Sequence, residues 1–153
     1  MVQRLTHDYG VEVYIEPGNA LVGKAGYLVS TVIDTYLSDS QRIAVLDTSV
    51  NHLPEVFEYQ IKPEVIGMLE HSGHAVTLVG STCLAGDVFG EYQLEHELNI
   101  GDKIIFKHVG AYSLIKASRF NGYALPTVYQ MHAGELNLLK QDSYHDFLQQ
   151  WWV

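Results

Sequence analysis

A thiol, a carboxylate and two hydroxyl groups fall within one short segment, residues 80–87 (Gly-Ser-Thr-Cys-Leu-Ala-Gly-Asp). The two glycines of this segment let a backbone approach a ligand closely. Cys83 and Asp87 could move a proton or contact a ligand from such a loop. A free cysteine is also commonly a small, inert hydrophobic residue. The residue types alone therefore leave both an inert loop and a site open.

Two further clusters could carry chemistry. Glu16 and Gly18 belong to an Ile-Glu-Pro-Gly-Asn turn after an apolar run, which is where barrel enzymes place active-site groups. The same turn could simply end a strand, because Pro-Gly turns are common. Tyr112 lies beside a small-residue turn and could offer its hydroxyl to a phosphate, although any of the ten tyrosines could equally belong to the core or surface.

A fourth cluster, Asn51-His52-Leu53-Pro54-Glu55, places an imidazole and a carboxylate in one loop. These two groups could face a cationic substrate, or the loop could simply be exposed. The pair His71 and His74 has metal-like spacing, but a glycine intervenes and no third ligand is placed. We therefore predict no metal site.

Composition narrows the class of protein. With 153 residues the chain can form one domain with a core, and its net charge of −9 argues against nucleic-acid binding. An acidic surface would attract a cationic small molecule such as a polyamine. One cysteine cannot form an internal disulfide, and no signal peptide or membrane-length apolar run is visible. We expect a cytoplasmic protein without a membrane partner.

Short β-rich runs separated by turn residues dominate the pattern, and this spacing predicts a mainly β barrel or sandwich. The predicted strands are 11–15, 26–34, 42–47, 75–79, 103–106, 111–117 and 124–131. Asn121-Gly122 predicts a hairpin turn between the last two. Helical signals occur only at the ends, in residues 1–10 and in 143–151, where Asp142 is the predicted N-cap.

The first 24 residues have the pattern of the last βα step of an α/β barrel. A lone step cannot bury both faces of its strand, so we expect an N-terminal part outside this sequence. The predicted division is therefore residues 1–24, the end of an α/β barrel, and residues 25–153, a C-terminal β-barrel domain with a terminal helix.

Taken in order, the clusters resemble the carboxynorspermidine decarboxylase family. The resemblance runs from residue 9 to 129 and rests on the E-P-G turn, the G-Y-L-V-S-T-V strand, the L-D-T-S and H-L-P-E loop, the G-S-T-C-L-A-G-D loop and A-Y-S. These pyridoxal 5'-phosphate enzymes share the alanine racemase-like fold, fold type III, with ornithine and diaminopimelate decarboxylases. The resemblance implies a Greek-key-like C-terminal β-barrel that completes a site across a head-to-tail homodimer.

The resemblance also implies roles for individual residues. Cys83 would be the catalytic thiol that reaches across the dimer and returns a proton to the product. Glu16, Gly18 and Tyr112 would contact the cofactor.

Four further positions would bind the substrate. Asp87 would contact its distal amine, with Asn19, Glu55 and His52 as further contacts. Asn19 stands where the family usually has Glu, so one negative charge is missing there.

The implied reaction is decarboxylation of carboxynorspermidine or carboxyspermidine to norspermidine or spermidine. The family's Schiff-base lysine lies on the N-terminal barrel, and none of the six lysines here has that context. We therefore expect no turnover by the isolated chain. Two alternatives stay open: a non-catalytic decarboxylase-like β-domain that binds a partner subunit, and a small stand-alone β-barrel that binds a polyamine.

Overall fold

The computed structural model describes residues 2–152. Seven strands occur in them: β1 (Tyr27–Ser38), β2 (Gln41–Leu46), β3 (His74–Val79), β4 (Val88–Leu94), β5 (Lys103–Lys107), β6 (Val128–His132) and β7 (Glu135–Lys140). The α-helices are short: α1 (Val2–Tyr9), α2 (Gly18–Val22), α3 (Glu55–Glu58), α4 (Ser113–Lys116) and α5 (Tyr144–Leu148). Within residues 2–152, none of these helices is long and apolar enough to cross a membrane.

Five strands form one sheet in the order β4-β3-β2-β1-β5. The 12-residue strand β1 serves both halves of this sheet. Its first half, 27–31, pairs with β5, and its second half pairs with β2 beyond an irregularity at Val32–Asp34. Because such irregularities bend a strand, the sheet curls into a half-barrel, and the predicted mainly β C-terminal domain is confirmed in that form.

The core lies in the concavity of this sheet. Its largest fully buried side chains include Phe89, Tyr92 and Phe106, and the two phenylalanine rings contact each other with centroids 4.8 Å apart. The segment between β2 and β3 crosses over this core through Leu53 and Val65. Burial of these apolar surfaces is the main force that holds the sheet in its curled form.

Four of the predicted strands correspond to β1, β2, β3 and β5, and the second half of the predicted strand 124–131 corresponds to β6. The predicted strand at 11–15 is absent, because no other described segment pairs with it. The prediction at 111–117 was also wrong, because residues 110–112 form a turn and Tyr112 is the N-cap of α4. Strand β4 was missed, since Gly90, with φ of 132°, interrupts its apolar alternation.

The C-terminal third differs most from expectation. Asn121 and Gly122 have the positive φ values of a tight turn, but both lie inside the 3₁₀ turn Phe120–Gly122, and irregular segments rather than strands flank that turn, so no hairpin forms there. The hairpin is instead β6–β7. The terminal helix is confirmed, although its N-cap is Ser143, whose side chain forms a capping box with Asp146.

Candidate functional site

Two loops meet at one edge of the sheet because β2 and β3 are parallel and both lead into that edge. The loop after β2, residues 47–54, contains His52, and the loop after β3 is the predicted 80–87 segment. The backbone N–H of Ser81 donates to the carbonyl of Thr48 at 3.1 Å, which joins the two loops directly. Sequence-distant polar residues are thereby brought side by side.

Asp87 links these loops through its carboxylate. One carboxylate oxygen accepts hydrogen bonds from the Ser49 hydroxyl (3.0 Å) and from the Val50 N–H (2.8 Å). The other accepts from the N–H (3.1 Å) and the hydroxyl (2.5 Å) of Thr82. Asp87 is only 6% exposed, so its carboxylate is fully engaged inside the chain. The predicted contact of Asp87 with a substrate amine is therefore not supported by its position.

Cys83 lies between two residues that Asp87 holds. Thr82 donates to the Asp87 carboxylate, and the carbonyl of Leu84 accepts from the Asp87 N–H at 3.1 Å. The thiol itself is exposed. It does not line the cleft that contains Asn19, Glu55 and Tyr112. The loop thus presents Cys83 to the outside of this chain, and its catalytic role stays a prediction.

His52 is placed differently from the sequence-based expectation. Its ring is 4% exposed, shares a hydrogen bond of 2.8 Å with the Thr48 hydroxyl, and packs against the ring of Tyr123. Burial lowers the pKa of the His52 imidazole. The prediction that His52 contacts a substrate is thus not supported, because the surrounding residues cover the ring.

An open cleft of about 450 Å³ contains three of the predicted site residues, Asn19, Glu55 and Tyr112. Its volume suits a small-molecule ligand. Charged groups also line it: Lys62, Glu64, Lys107 and His108. Lys107 is bound to Glu64 at 2.9 Å, and this contact lowers the pKa of the Glu64 carboxyl group.

One carboxylate oxygen of Glu55 is buried and has no partner among residues 2–152. Its Oε1 atom accepts a hydrogen bond from the buried Ser113 hydroxyl at 2.9 Å. Its Oε2 atom has no hydrogen-bond partner within the described part of the chain. A carboxylate in a cleft with one oxygen free can accept a hydrogen bond from an ammonium group. Ser113 was not predicted from the sequence, since a lone serine beside a tyrosine carries no distinctive signal.

Gly18 and Tyr112 meet at the rim of the cleft. Gly18 begins α2, and Tyr112 immediately precedes α4. A β-carbon at Gly18 would lie 2.6 Å from the Tyr112 hydroxyl oxygen, so the absence of a side chain at Gly18 leaves room for that hydroxyl. Glu16 is exposed in the same turn, where its carbonyl accepts from the Gly18 N–H.

Comparison with known proteins defines the class. Residues 11–110 match the family model for the pyridoxal-dependent decarboxylase C-terminal sheet domain. The chain therefore belongs to this family of decarboxylases. The segment that matches carries the half-barrel, both loops and the cleft residues other than Tyr112 and Ser113.

Individual proteins that resemble this chain are decarboxylases with more narrowly named substrates than the family model gives. The chain is 36% identical, over 96% of its length, to a carboxynorspermidine/carboxyspermidine decarboxylase of Campylobacter jejuni, and covers 42% of that protein. It is 35% identical, over 90% of its length, to a carboxyaminopropylagmatine decarboxylase of Synechocystis, and covers 36% of it.

A crystal structure shows the same relationship. Carboxynorspermidine decarboxylase from Campylobacter jejuni, solved in complex with norspermidine, superposes with a TM-score of 0.82 at 36% identity. The alignment covers 97% of this chain and 44% of that one. The chain thus spans about two-fifths of the length of the relatives that it matches.

The family's cofactor is pyridoxal phosphate, and the cleft rim fits one end of it. Tyr112 is half-exposed and has a hydroxyl directed at the side-chain-free Gly18, an arrangement that can contact a phosphate. Residues Gly18 and Tyr112 are therefore those of this chain that would hold the cofactor, with Glu16 in the adjoining turn.

Proposed function

We propose that this chain is the C-terminal part of a pyridoxal phosphate-dependent decarboxylase of polyamine biosynthesis, acting on carboxynorspermidine or carboxyspermidine in the cytoplasm. The observation that carries this proposal is the buried Oε2 atom of Glu55, which is unpaired among the described residues and belongs to a residue that lines a cleft together with Asn19 and Tyr112. Relatives that decarboxylate carboxynorspermidine and carboxyspermidine support the same assignment.

Glu55 supplies the negative charge for one amine of a long cationic substrate. The Ser113 hydroxyl holds Oε1, which leaves Oε2 as the oxygen that would pair with the amine. Asn19 offers a neutral amide oxygen at the same cleft. With one carboxylate where the family has two, recognition of the amine end depends more strongly on Glu55. A substrate that lacked this amine would leave the carboxylate unpaired, which is costly.

Proton return is assigned to Cys83. Pyridoxal phosphate, when bound, withdraws the electron pair that loss of carbon dioxide leaves on the substrate Cα. Cys83 is exposed at the tip of its loop and outside its own cleft, which suits a thiol that serves a neighbouring subunit. The proposed partner is the N-terminal barrel and, across the dimer, a second copy of the enzyme. The covalent lysine is expected on that barrel.

The direct test combines this chain with a cofactor-loaded N-terminal barrel of the family and measures carbon dioxide release from carboxynorspermidine. We expect norspermidine to form, and Cys83→Ala to slow its formation by roughly 100-fold or more, as for loss of a general acid. Complex formation without any turnover of carboxynorspermidine or carboxyspermidine would contradict the proposal. Unchanged turnover in Cys83→Ala would remove the role of Cys83 alone.

A second candidate function is a non-catalytic β-domain that binds a partner subunit. The β6–β7 hairpin favours it, since Tyr129, Met131, Leu136, Leu138 and Leu139 are all more than half exposed. An isolated two-stranded hairpin with such a surface is marginally stable in water. The same mixing experiment separates the two functions, because a non-catalytic domain would bind the barrel and yield no product.

A further inference from the structure

We propose that Asp87 is a positioning residue. It fixes the position of the Cys83 thiol, in the 80–87 loop, relative to the 47–54 loop that leads to Glu55. This inference rests on the proposed function, in which Cys83 donates the proton. It replaces the substrate contact that the sequence suggested for Asp87.

The first support is the way Asp87 holds both chain neighbours of Cys83. Its carboxylate accepts two hydrogen bonds from Thr82, on one side of the cysteine. Its backbone N–H donates to Leu84 on the other side. Cys83 therefore projects from a span of three residues whose two ends are bound to the same residue. Its backbone has little freedom while Asp87 remains engaged.

The second support is the connection to the cleft. The other carboxylate oxygen of Asp87 holds Ser49 and Val50, in the loop that leads within five residues to Glu55. Both loops also follow parallel, paired strands, β2 and β3. One buried carboxylate thus sets the distance between the 80–87 loop, which carries the thiol, and the 47–54 loop, which leads directly to Glu55 at the start of α3.

The third support is the close packing around this carboxylate. A β-carbon on Gly80 would lie 2.3 Å from the carboxylate atoms of Asp87, so only glycine allows the approach. The Gly80 N–H also donates to the Asp87 carbonyl at 2.8 Å. The first and last residues of the loop are thereby joined, and the loop is closed on itself.

The test uses the single cysteine of the chain as a built-in attachment point for a nitroxide spin label. In Asp87→Asn, an amide N–H₂ replaces one of the two oxygens and faces the two donors of that side, so either the Val50 N–H or the Thr82 N–H loses its acceptor. We expect the label on Cys83 to become more mobile. Hydrogen exchange at the amide that loses its acceptor should accelerate by at least about fivefold.

The matched control is Asp47→Asn, at the same sheet edge. Asp47 accepts hydrogen bonds from the Ser30 hydroxyl and the Thr31 N–H, both at 2.6 Å, and holds β1 rather than the Cys83 loop. At a temperature where both variants are folded, Asp47→Asn should leave the label spectrum unchanged. An unchanged label and unchanged exchange in Asp87→Asn would overturn the inference.

If Asp87→Asn does not fold, Thr82→Val removes only one donor to the carboxylate and tests the same link. We expect a smaller increase in label mobility, and an unchanged spectrum would contradict the proposal.

In the assembled enzyme, Asp87→Asn should lower kcat with KM unchanged. A raised KM would instead indicate that Asp87 contacts the substrate. Failure of the assembled enzyme to decarboxylate would remove the proposed function, while the label and exchange results would still decide the role of Asp87.

Discussion

The hydroxyl oxygen of Tyr112 occupies the space in which a β-carbon of residue 18 would lie, 2.6 Å from the position of that carbon. Gly18 has no positive φ, so alanine would fit its backbone and only the hydroxyl would have to move. The two residues come from α2 and from the turn before α4, 94 positions apart in the sequence. At this contact, a larger side chain at position 18 would displace the hydroxyl of Tyr112, so the two proposed cofactor residues depend on each other sterically.

Gly18→Ala should therefore leave the thermal midpoint of the chain nearly unchanged, since the half-exposed Tyr112 ring can swing aside. In the assembled enzyme it should weaken pyridoxal phosphate binding by about tenfold, the worth of one hydrogen bond to a charged group. Tyr112→Phe is the matched variant, because it removes the hydroxyl without a clash. Full cofactor affinity in both variants, measured by fluorescence titration, would exclude the phosphate contact.

Glu55→Gln should weaken norspermidine binding to the cleft by about tenfold or more, because a charged acceptor is replaced by a neutral amide. Isothermal titration calorimetry measures this loss. Glu64→Gln is the control: it removes the same charge from the same cleft, but Lys107 already engages that carboxylate. Equal losses in the two variants would mean that general electrostatic attraction, rather than Glu55, holds the amine.

The pair Arg119 and Asp142 should make the C-terminal third sensitive to acid. Asp142 accepts hydrogen bonds from the Arg119 guanidinium and from the Leu125 N–H, and these contacts lower the pKa of Asp142 below its ordinary 3.8. A lowered pKa in the folded state means that the stabilisation is present above about pH 4 and is lost as the pH falls further.

Denaturant unfolding at a series of pH values checks this expectation. Asp142→Asn should lower the stability at pH 7 and flatten its decline below about pH 4. Asp146→Asn is the comparison, because that carboxylate caps α5 instead of binding the guanidinium. A decline of the same steepness in Asp142→Asn and in the parent chain would show that the ion pair does not determine acid sensitivity.

Phe106→Ala should lower the free energy of unfolding by about 3–5 kcal/mol, the usual cost of deleting a buried aromatic ring. Phe106 is fully buried on β5, contacts Phe89 on β4, and forms a bridge with Val65. Tyr27→Ala, on the exposed side of β1, should cost much less. Urea denaturation followed by circular dichroism measures both, and similar losses would contradict the proposed location of the core.

The sequence predicted the β-rich class and four sheet strands because their β-branched runs are bounded by turn residues. It could not predict β7, whose residues are all exposed, since no alternation of burial marks it. The candidate site was predicted in part. Asn19, Glu55 and Tyr112 do share a cleft, but the burial of His52 and Asp87 depends on the parallel pairing of β2 with β3. Pairing between segments this far apart leaves no local pattern in the sequence.

The shared use of β1 has a consequence for how the chain folds. Residues 27–31 pair with β5, which lies more than 70 positions further along the chain, whereas residues 32–38 form a local hairpin with β2. The hairpin of β1 and β2 can form early, but the sheet is complete only after β5 has paired with the first half of β1. Folding should accordingly proceed at the slow, millisecond-to-second pace of proteins rich in non-local strand contacts.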